Sequence, residues 1–149
     1  MTRVDDVRQT LPFSERQRAA LEDLLTASGL PIAGLVPGPE NTIVVVEGEA
    51  LVATATVNLY GDAGLLRSVA VESGRRGSRL GDAVTRAAIE LARGAGVRTV
   101  YLLTESAAGF FPRFGFQAVD RLDVPEAVAS DPEFTRVCPS SATVMAARI

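Results

Sequence analysis

Leu65-Leu66-Arg67-Ser68-Val69-Ala70-Val71, followed by Glu72-Ser73-Gly74 and then Arg75-Arg76-Gly77-Ser78-Arg79-Leu80-Gly81, is the stretch on which the reading of this chain turns. Its first seven residues are apolar on both faces apart from Arg67 and Ser68, the pattern of a central strand buried from two sides. The period then changes. Leu80, Val84, Ala87, Ala88, Leu91 and Ala92 recur at helical spacing, which predicts an amphipathic helix running to about Arg93 and ended by Gly94. Residues 97–104 read as strand again. A strand, a helix and a strand in this length predict a right-handed crossover with the two strands parallel in one sheet.

Upstream, residues 14–28 carry a capping box (Ser14, Gln17) and apolar Leu21, Leu24 and Leu25, which predicts a first helix. Pro31, Pro37 and Pro39 with three glycines mark residues 29–41 as loop. Residues 42–46 and 51–60 are β-rich and flank Glu47-Gly48-Glu49, an antiparallel hairpin pattern, and Gly61, Asp62 and Gly64 supply the next turn. Downstream, residues 107–114 suit a short helix stopped by Gly115, and residues 116–120 a strand. Pro125 suits the start of a small helix, Asp131-Pro132 the start of another, and residues 142–147 a last strand. No repeat, low-complexity tract or linker interrupts the chain, so residues 1–149 are expected to form one α/β domain with a mixed sheet.

Composition narrows the chemistry. Among 149 residues, 47% apolar and 22% charged, there is no His, no Trp and no Lys, so all 15 positive charges are Arg. That excludes a histidine base, a Schiff-base or phosphate-loop lysine and any histidine metal ligand. Cys138 is the only thiol, which fits a reducing cytoplasm and reads as a small buried hydrophobe, not a nucleophile or arsenic ligand. A net charge of −3 argues against nucleic acid as the main partner. Asp5 and Asp6 near the start, and the lack of a long apolar run, predict an untargeted cytoplasmic protein with no membrane partner and no metal.

The 75–81 segment sits where a helix begins. Unpaired amides and the positive end of the helix dipole converge there, so the turn can hold a phosphate or pyrophosphate, with Arg75, Arg76 and Arg79 adding charge. The same letters also suit a solvated arginine turn. Gly74, Gly77 and Gly81 do not match a G-x-G-x-x-G dinucleotide fingerprint, and a nucleoside triphosphate loop needs the lysine that this chain lacks.

These residues resemble the GNAT superfamily of acetyl-CoA-dependent N-acetyltransferases. Strand 65–71 followed by Arg76-Gly77-Ser78-Arg79-Leu80-Gly81 is similar to its R/Q-x-x-G-x-G/A acetyl-CoA loop. Ala107-Ala108-Gly109-Phe110-Phe111-Pro112-Arg113-Phe114-Gly115-Phe116 is similar to its A-x-x-x-Y-x-x-x-G-F block. A narrower likeness, carried by Leu59-Tyr60-Gly61-Asp62, Leu65-Leu66-Arg67-Ser68, Leu102-Leu103-Thr104 and Cys138-Pro139-Ser140-Ser141-Ala142, is to the bacterial arsenic-resistance branch, itself similar to amino-acid N-acetyltransferases. The resemblance implies a mixed sheet whose two halves part between strands 65–71 and 97–104, with acetyl-CoA in the gap. It implies that Val69 and Val71 pair with the pantetheine arm, that Arg76, Gly77, Ser78, Arg79, Leu80 and Gly81 hold the pyrophosphate, and that the Val69 N–H polarises the thioester carbonyl.

Three positions depart from the family pattern. Arg79 stands where the loop has its central glycine, Phe111 where many relatives have a proton-donating tyrosine, and Thr104 where asparagine is frequent, its hydroxyl remaining able to bond the pantetheine. With Phe111 unable to donate, Tyr60 or water is expected to protonate the CoA thiolate. Glu105, at the end of strand 97–104, is the first candidate for the base that deprotonates the acceptor, although it also suits a helix start. Arg67 needs an anion: a substrate carboxylate, or an internal partner such as Asp62 or Glu72. Asn58 is the further candidate for contact with substrate, and Tyr60 reads either as facing the acceptor pocket or as a sheet-edge aromatic. Two functions are expected to compete. One is transfer of an acetyl group to the primary amine of a small amino-acid-like compound, an organoarsenical one included, by a monomer or homodimer. The other is non-catalytic binding or sensing of acyl-CoA.

Overall fold

A computed structural model describes residues 7–8, 14–48, 50–77, 79–137 and 141–149. The capping box at Ser14 forms as expected: the Gln17 amide donates to Ser14 Oγ at 3.1 Å and the Ser14 amide to Gln17 Oε1 at 3.0 Å. It starts α1 (Glu15–Ala27), which buries Leu21, Leu24 and Leu25. The hairpin is β2 (Thr42–Glu47) and β3 (Ala50–Tyr60), preceded in the sheet by a two-residue β1 (Val7–Arg8) that the residue pattern did not announce. The central strand is β4 (Ala63–Val71), two residues longer at its start than its apolar run. Helix α2 (Leu80–Gly94) runs through Gly94 and is capped at Ala95, one residue beyond the expected stop. Then come β5 (Thr99–Thr104), β6 (Gln117–Ala118), the short α3 (Glu126–Ala129) after Pro125, and β7 (Thr143–Arg148). Residues 107–114 do not form the expected helix. Only a 3-10 turn, Phe111–Phe114, is present, with Gly115 left-handed at its end (φ +94°). Asp131-Pro132 leads into a single wide turn, Glu133–Val137.

The strands assemble in the order β1-β2-β3-β4-β5-β7-β6, with β4 and β5 parallel and every other neighbouring pair antiparallel. Helix α2 covers one face, setting Leu80, Val84, Ala88 and Ala92 against Val45, Ala55, Val57, Leu66 and Leu102. The other face is shared. Leu21, Leu24 and Leu25 of α1 pack with Leu35 and Ala70, while Val124 and Val128 beside α3 pack with Leu65, Leu103 and Val144. Adjacent residues Leu65 and Leu66 thus belong to opposite layers, as the pleat of a doubly buried strand requires. Among the described residues no helix is long and apolar enough to cross a membrane.

Two local features open the sheet at its centre. The parallel pairing of β4 with β5 holds only for Ala63↔Thr99, Gly64↔Val100 and Leu65↔Tyr101. Beyond it, β5 continues beside β7 while β4 continues beside β3 alone. On the β3 side the register passes from Thr54↔Ala70 to Thr56↔Arg67, so Ser68 and Val69 together stand opposite Ala55 in a bulge. Ser68 takes up the kink at φ +59°, a conformation that costs an L-residue about 1 kcal/mol or more. The bulge bends β4 where its pairing with β5 has ended, and the parted strands leave a gap.

Candidate functional site

The gap is a cavity of about 530 Å³ walled by β4 from Leu66 to Val71, by β5 from Leu102 to Thr104 and by residues 105–107, and it reaches Pro31 and Glu133 at one end and Arg76 and Gly81 at the other. There it meets a second space of about 340 Å³ at the turn into α2, where Arg76, Arg79 and Arg113 contribute to the wall. Val71, Arg76, Gly81 and Phe110 line both, so the two form one continuous trough.

The turn is held from within. Glu72 Oε1 accepts from the Gly74 amide at 3.0 Å and Arg76 Nε donates to the Val71 carbonyl at 3.4 Å. Arg75 pairs with Glu47, on the hairpin, so it too is tied to the sheet. Gly77 lies at φ +87° and Arg79, the N-cap of α2, at φ +66°, while Arg79 makes no side-chain bond to the first amides of the helix. A left-handed N-cap suits glycine, which without a Cβ adopts that conformation at no steric cost. In this chain the strain is retained together with a cation. A Cβ added to Gly81 would meet Phe110 at 3.5 Å and Val71 at 3.7 Å, ordinary contacts on the trough side of the helix. The turn thus offers helix amides and arginines to an anion.

Along the trough, β4 presents an open edge. The Glu72 amide donates to Val52 at 2.8 Å, so the amides of Ala70 and Glu72 face β3. That of Val71, one residue out of phase, faces the gap, and Val69 follows the bulge on the same stretch of β4. Across it, Thr104 Oγ1 accepts from the Ala107 amide at 2.9 Å, which leaves its hydroxyl proton to donate. Phe111 is buried, edge-on to Phe110 (ring centroids 5.1 Å apart) and Phe116 (5.8 Å), and contributes an apolar wall. Glu105 lines the cavity from an exposed position.

At the end opposite the turn lies a buried charge cluster. The Arg67 side chain is fully buried, with Nε 3.1 Å from Glu133 Oε2 and 3.2 Å from Ser68 Oγ, NH2 donating to the Pro31 carbonyl at 3.1 Å, and NH1 4.0 Å from Asp131 Oδ1 with no hydrogen-bond partner. The internal anions are therefore Asp131 and Glu133, not the expected Asp62 or Glu72. Asp62 belongs to the turn before β4 and Glu72 caps its own turn, whereas residue 67 faces the layer that α1 and the 131–133 segment cover. Asp131 has three donors: it accepts from Asn58 Nδ2 at 2.8 Å, from the Tyr60 hydroxyl and, at 2.9 Å, from the Glu133 amide. The Glu133 side chain pairs with Arg67, and it lines the cavity. Burial pushes its carboxyl up to about 7, against the pull of the Arg67 guanidinium and with a further push from Asp131. The Tyr60 hydroxyl is also pushed up, by burial first and then by its bond to Asp131 and that carboxylate's charge, with Arg67 opposing.

The structure brings Val69, Val71, Arg76, Gly81, Thr104, Glu105, Phe111 and Arg67 to the walls of the first cavity, and Arg76, Gly77, Arg79, Leu80 and Gly81 to the second. It does not bring Tyr60 or Asn58 there. Their polar groups are engaged by Asp131. Ser78 and Cys138 lie outside the described residues. The residues missed were Asp131 and Glu133. The signal available for them was the unpaired Arg67, but the partners lie far along the chain (Asp131 is 71 residues from Tyr60), in a tail with no periodicity.

Residues 38–118 match the family model described as the acetyltransferase (GNAT) domain. No curated protein sequence matches significantly. Among solved structures, the N-acetylglutamate synthase of Neisseria gonorrhoeae, complexed with coenzyme A and L-arginine, aligns with a TM-score of 0.75 at 17% identity over 96% of this chain, which spans 32% of that one. Rv2747 of Mycobacterium tuberculosis, in complex with CoA, aligns with a TM-score of 0.75 at 18% identity over 96% of this chain and 98% of its own. An aminoglycoside 6'-N-acetyltransferase complexed with coenzyme A gives 0.72 at 16% identity over 95% and 96%. At these identities the likeness is one of fold. The family match covers more than half of the chain, across the hairpin, the parted strands, the arginine turn and the phenylalanine block, and by it the chain belongs to the GNAT acetyltransferases.

Proposed function

We propose that the protein transfers the acetyl group of acetyl-CoA to the primary amine of a small amino-acid-like compound. The observation that carries the reading is the parting of β4 from β5 beside an uncapped, arginine-flanked start of α2. In this reading the amides of residues 76–81 and the Arg76 and Arg79 side chains take the pyrophosphate, Ser78 included by its place in the loop. The gap-facing edge of Val69 and Val71 pairs with the pantetheine, Thr104 donates to it, and Phe111 packs against it. Coenzyme A bound by the structural neighbours supports this occupant.

The Val69 amide then polarises the thioester carbonyl and stabilises the oxyanion as the amine attacks. Holding both reactants in one trough supplies the proximity on which direct transfer depends, with no acetylated residue. The Tyr60 hydroxyl donates its hydrogen bond to Asp131, so in this reading water in the trough protonates the CoA thiolate. At the acceptor end, an arginine with one unpartnered N–H beside a carboxylate is complementary to a compound that carries both an acid and an amine. The likeness to the arsenic-resistance branch extends this to an amine-bearing organoarsenical, acetylated in the cytoplasm. Inorganic arsenic, having no amine, is not an acceptor.

The test is CoA release from acetyl-CoA, followed by free thiol, with a panel of L-amino acids and amino-acid analogues, beside calorimetric titration with acetyl-CoA. Micromolar binding with amine-dependent thiol release is expected. Saturable binding with no release for any amine would make the protein an acyl-CoA binder instead, and no binding would refute the site.

A further inference from the structure

We propose that Glu133, and not the exposed Glu105, is the general base that takes the proton from the acceptor's ammonium group. The proposal rests on the transfer reaction above and adds to it the residue that frees the nucleophile. Two carboxylates surround one buried guanidinium, and they are not equivalent. Asp131 accepts from Asn58, from Tyr60 and from the Glu133 amide, and is held in place behind Arg67. Glu133 touches Arg67 Nε at 3.1 Å and is the member of the pair that reaches the cavity wall. Asp131 therefore answers the charge of Arg67 whatever the state of Glu133, which leaves Glu133 free to gain and lose a proton in place. Its carboxyl, raised to about 7 by burial, is poised at working pH, where a base is most effective. The charged groups that set its titration are Arg67 on β4 and Asp131 on its own segment, and Tyr60 on β3 bonds that Asp131; Glu105 and Arg76 line the same cavity.

The proton inventory closes. The ammonium gives one proton to the Glu133 carboxylate. The freed lone pair forms the N–C bond as the carbonyl π pair moves to oxygen, and collapse of that oxyanion breaks the C–S bond. The second nitrogen proton passes through water to the departing CoA thiolate, and Glu133 returns its proton to solvent. The products are the acetamide, CoA thiol and one proton.

Three readouts test this. In the full chain labelled with glutamate carrying ¹³C at the side-chain carboxyl, one resonance should titrate near pH 7 and be absent from Glu133→Gln. If every glutamate carboxyl titrates below about pH 5, the proposal falls, whether or not an acceptor has been found. With the L-amino acid of the panel that gives the fastest thiol release, wild-type kcat/KM should rise through an acid limb near pH 7. In Glu133→Gln, kcat should fall on the order of 100-fold or more, the limb should vanish, and acetyl-CoA affinity should stay within about twofold. Glu133→Asp, which keeps a carboxylate, should recover part of the rate. A loss under about fivefold in Glu133→Gln with the limb unmoved, or a limb that disappears in Glu105→Gln and persists in Glu133→Gln, overturns the assignment. Loss of acetyl-CoA binding in the wild type would instead strike the proposed function itself.

Discussion

Replacing Arg67 with methionine removes the guanidinium on which three elements converge: β4, the loop at Pro31 and the 131–133 segment. The side chain is fully buried and has Glu133 Oε2 and the Pro31 carbonyl each at 3.1 Å. Breaking a buried ion pair from one side costs about 3–5 kcal/mol, because the partner charge stays behind without compensation. Here the penalty is partly relieved, since Glu133 can respond by staying protonated. Its carboxyl stands at about 7 with the Arg67 guanidinium pulling it down, so without that cation it keeps its proton at pH 8 for less than the roughly 1.4 kcal/mol that one pH unit is worth. Asp131 keeps its bonds from Asn58, Tyr60 and the Glu133 amide, but it loses the neighbouring cation. A net loss of about 3 kcal/mol at pH 8 is expected, equivalent to a fall in Tm of about 6–12 °C for a domain of this size. At pH 5.5 Glu133 already carries its proton in the wild type, so the loss should shrink to about half. Urea unfolding of both proteins at the two pH values measures this. A variant as stable as the wild type at pH 8, or a loss that does not change with pH, would refute the view that Arg67 is the central cation of a titrating cluster.

The raised carboxyl has a consequence in the wild type as well. A group whose folded pKa lies above its unfolded value makes the protein less stable as pH rises between the two, so the Glu133 contribution should decline from about pH 4.5 to about 7 by roughly 3 kcal/mol at most, a slope that Glu133→Gln should abolish in pH-resolved melts. Gly81→Glu adds a carboxylate on the trough side of α2, where its Cβ meets only ordinary contacts. Acetyl-CoA affinity by calorimetry should fall at least about tenfold with the circular dichroism unchanged, and unaltered affinity would show that the diphosphate site is misplaced. Arg79→Gly relieves a left-handed N-cap at φ +66° and should raise stability by up to about 1 kcal/mol while weakening acetyl-CoA binding through the lost cation. A Tm below that of the wild type would count against strain at this residue.

The elements closest to the trough were legible along the chain because their signals are local. The capping box at Ser14, the doubly apolar strand 65–71 and the change of period at Leu80 each depend on residues within a turn or a pleat of one another, and each became the structure expected of it. Where local patterning was weak, the reading slipped. Residues 107–114 lacked the length to sustain a helix and packed their phenylalanines around a 3-10 turn, and β1 acquires its partner only through pairing with β2.

The arginine turn could be read at sight, since amides at the start of a helix follow from chain order and need no distant neighbour. The partners of Arg67 could not. A buried cation announces that an anion must exist without saying where. Asp62 and Glu72 were near in sequence, but the pleat of β4 turned residue 67 toward the opposite layer, where chain closure delivered Asp131 and Glu133. Sequence order decided which side chains each strand carries. Folding decided which of them meet across the gap, because burial in a three-dimensional layer, unlike a helical or pleated period, has no repeat along the chain.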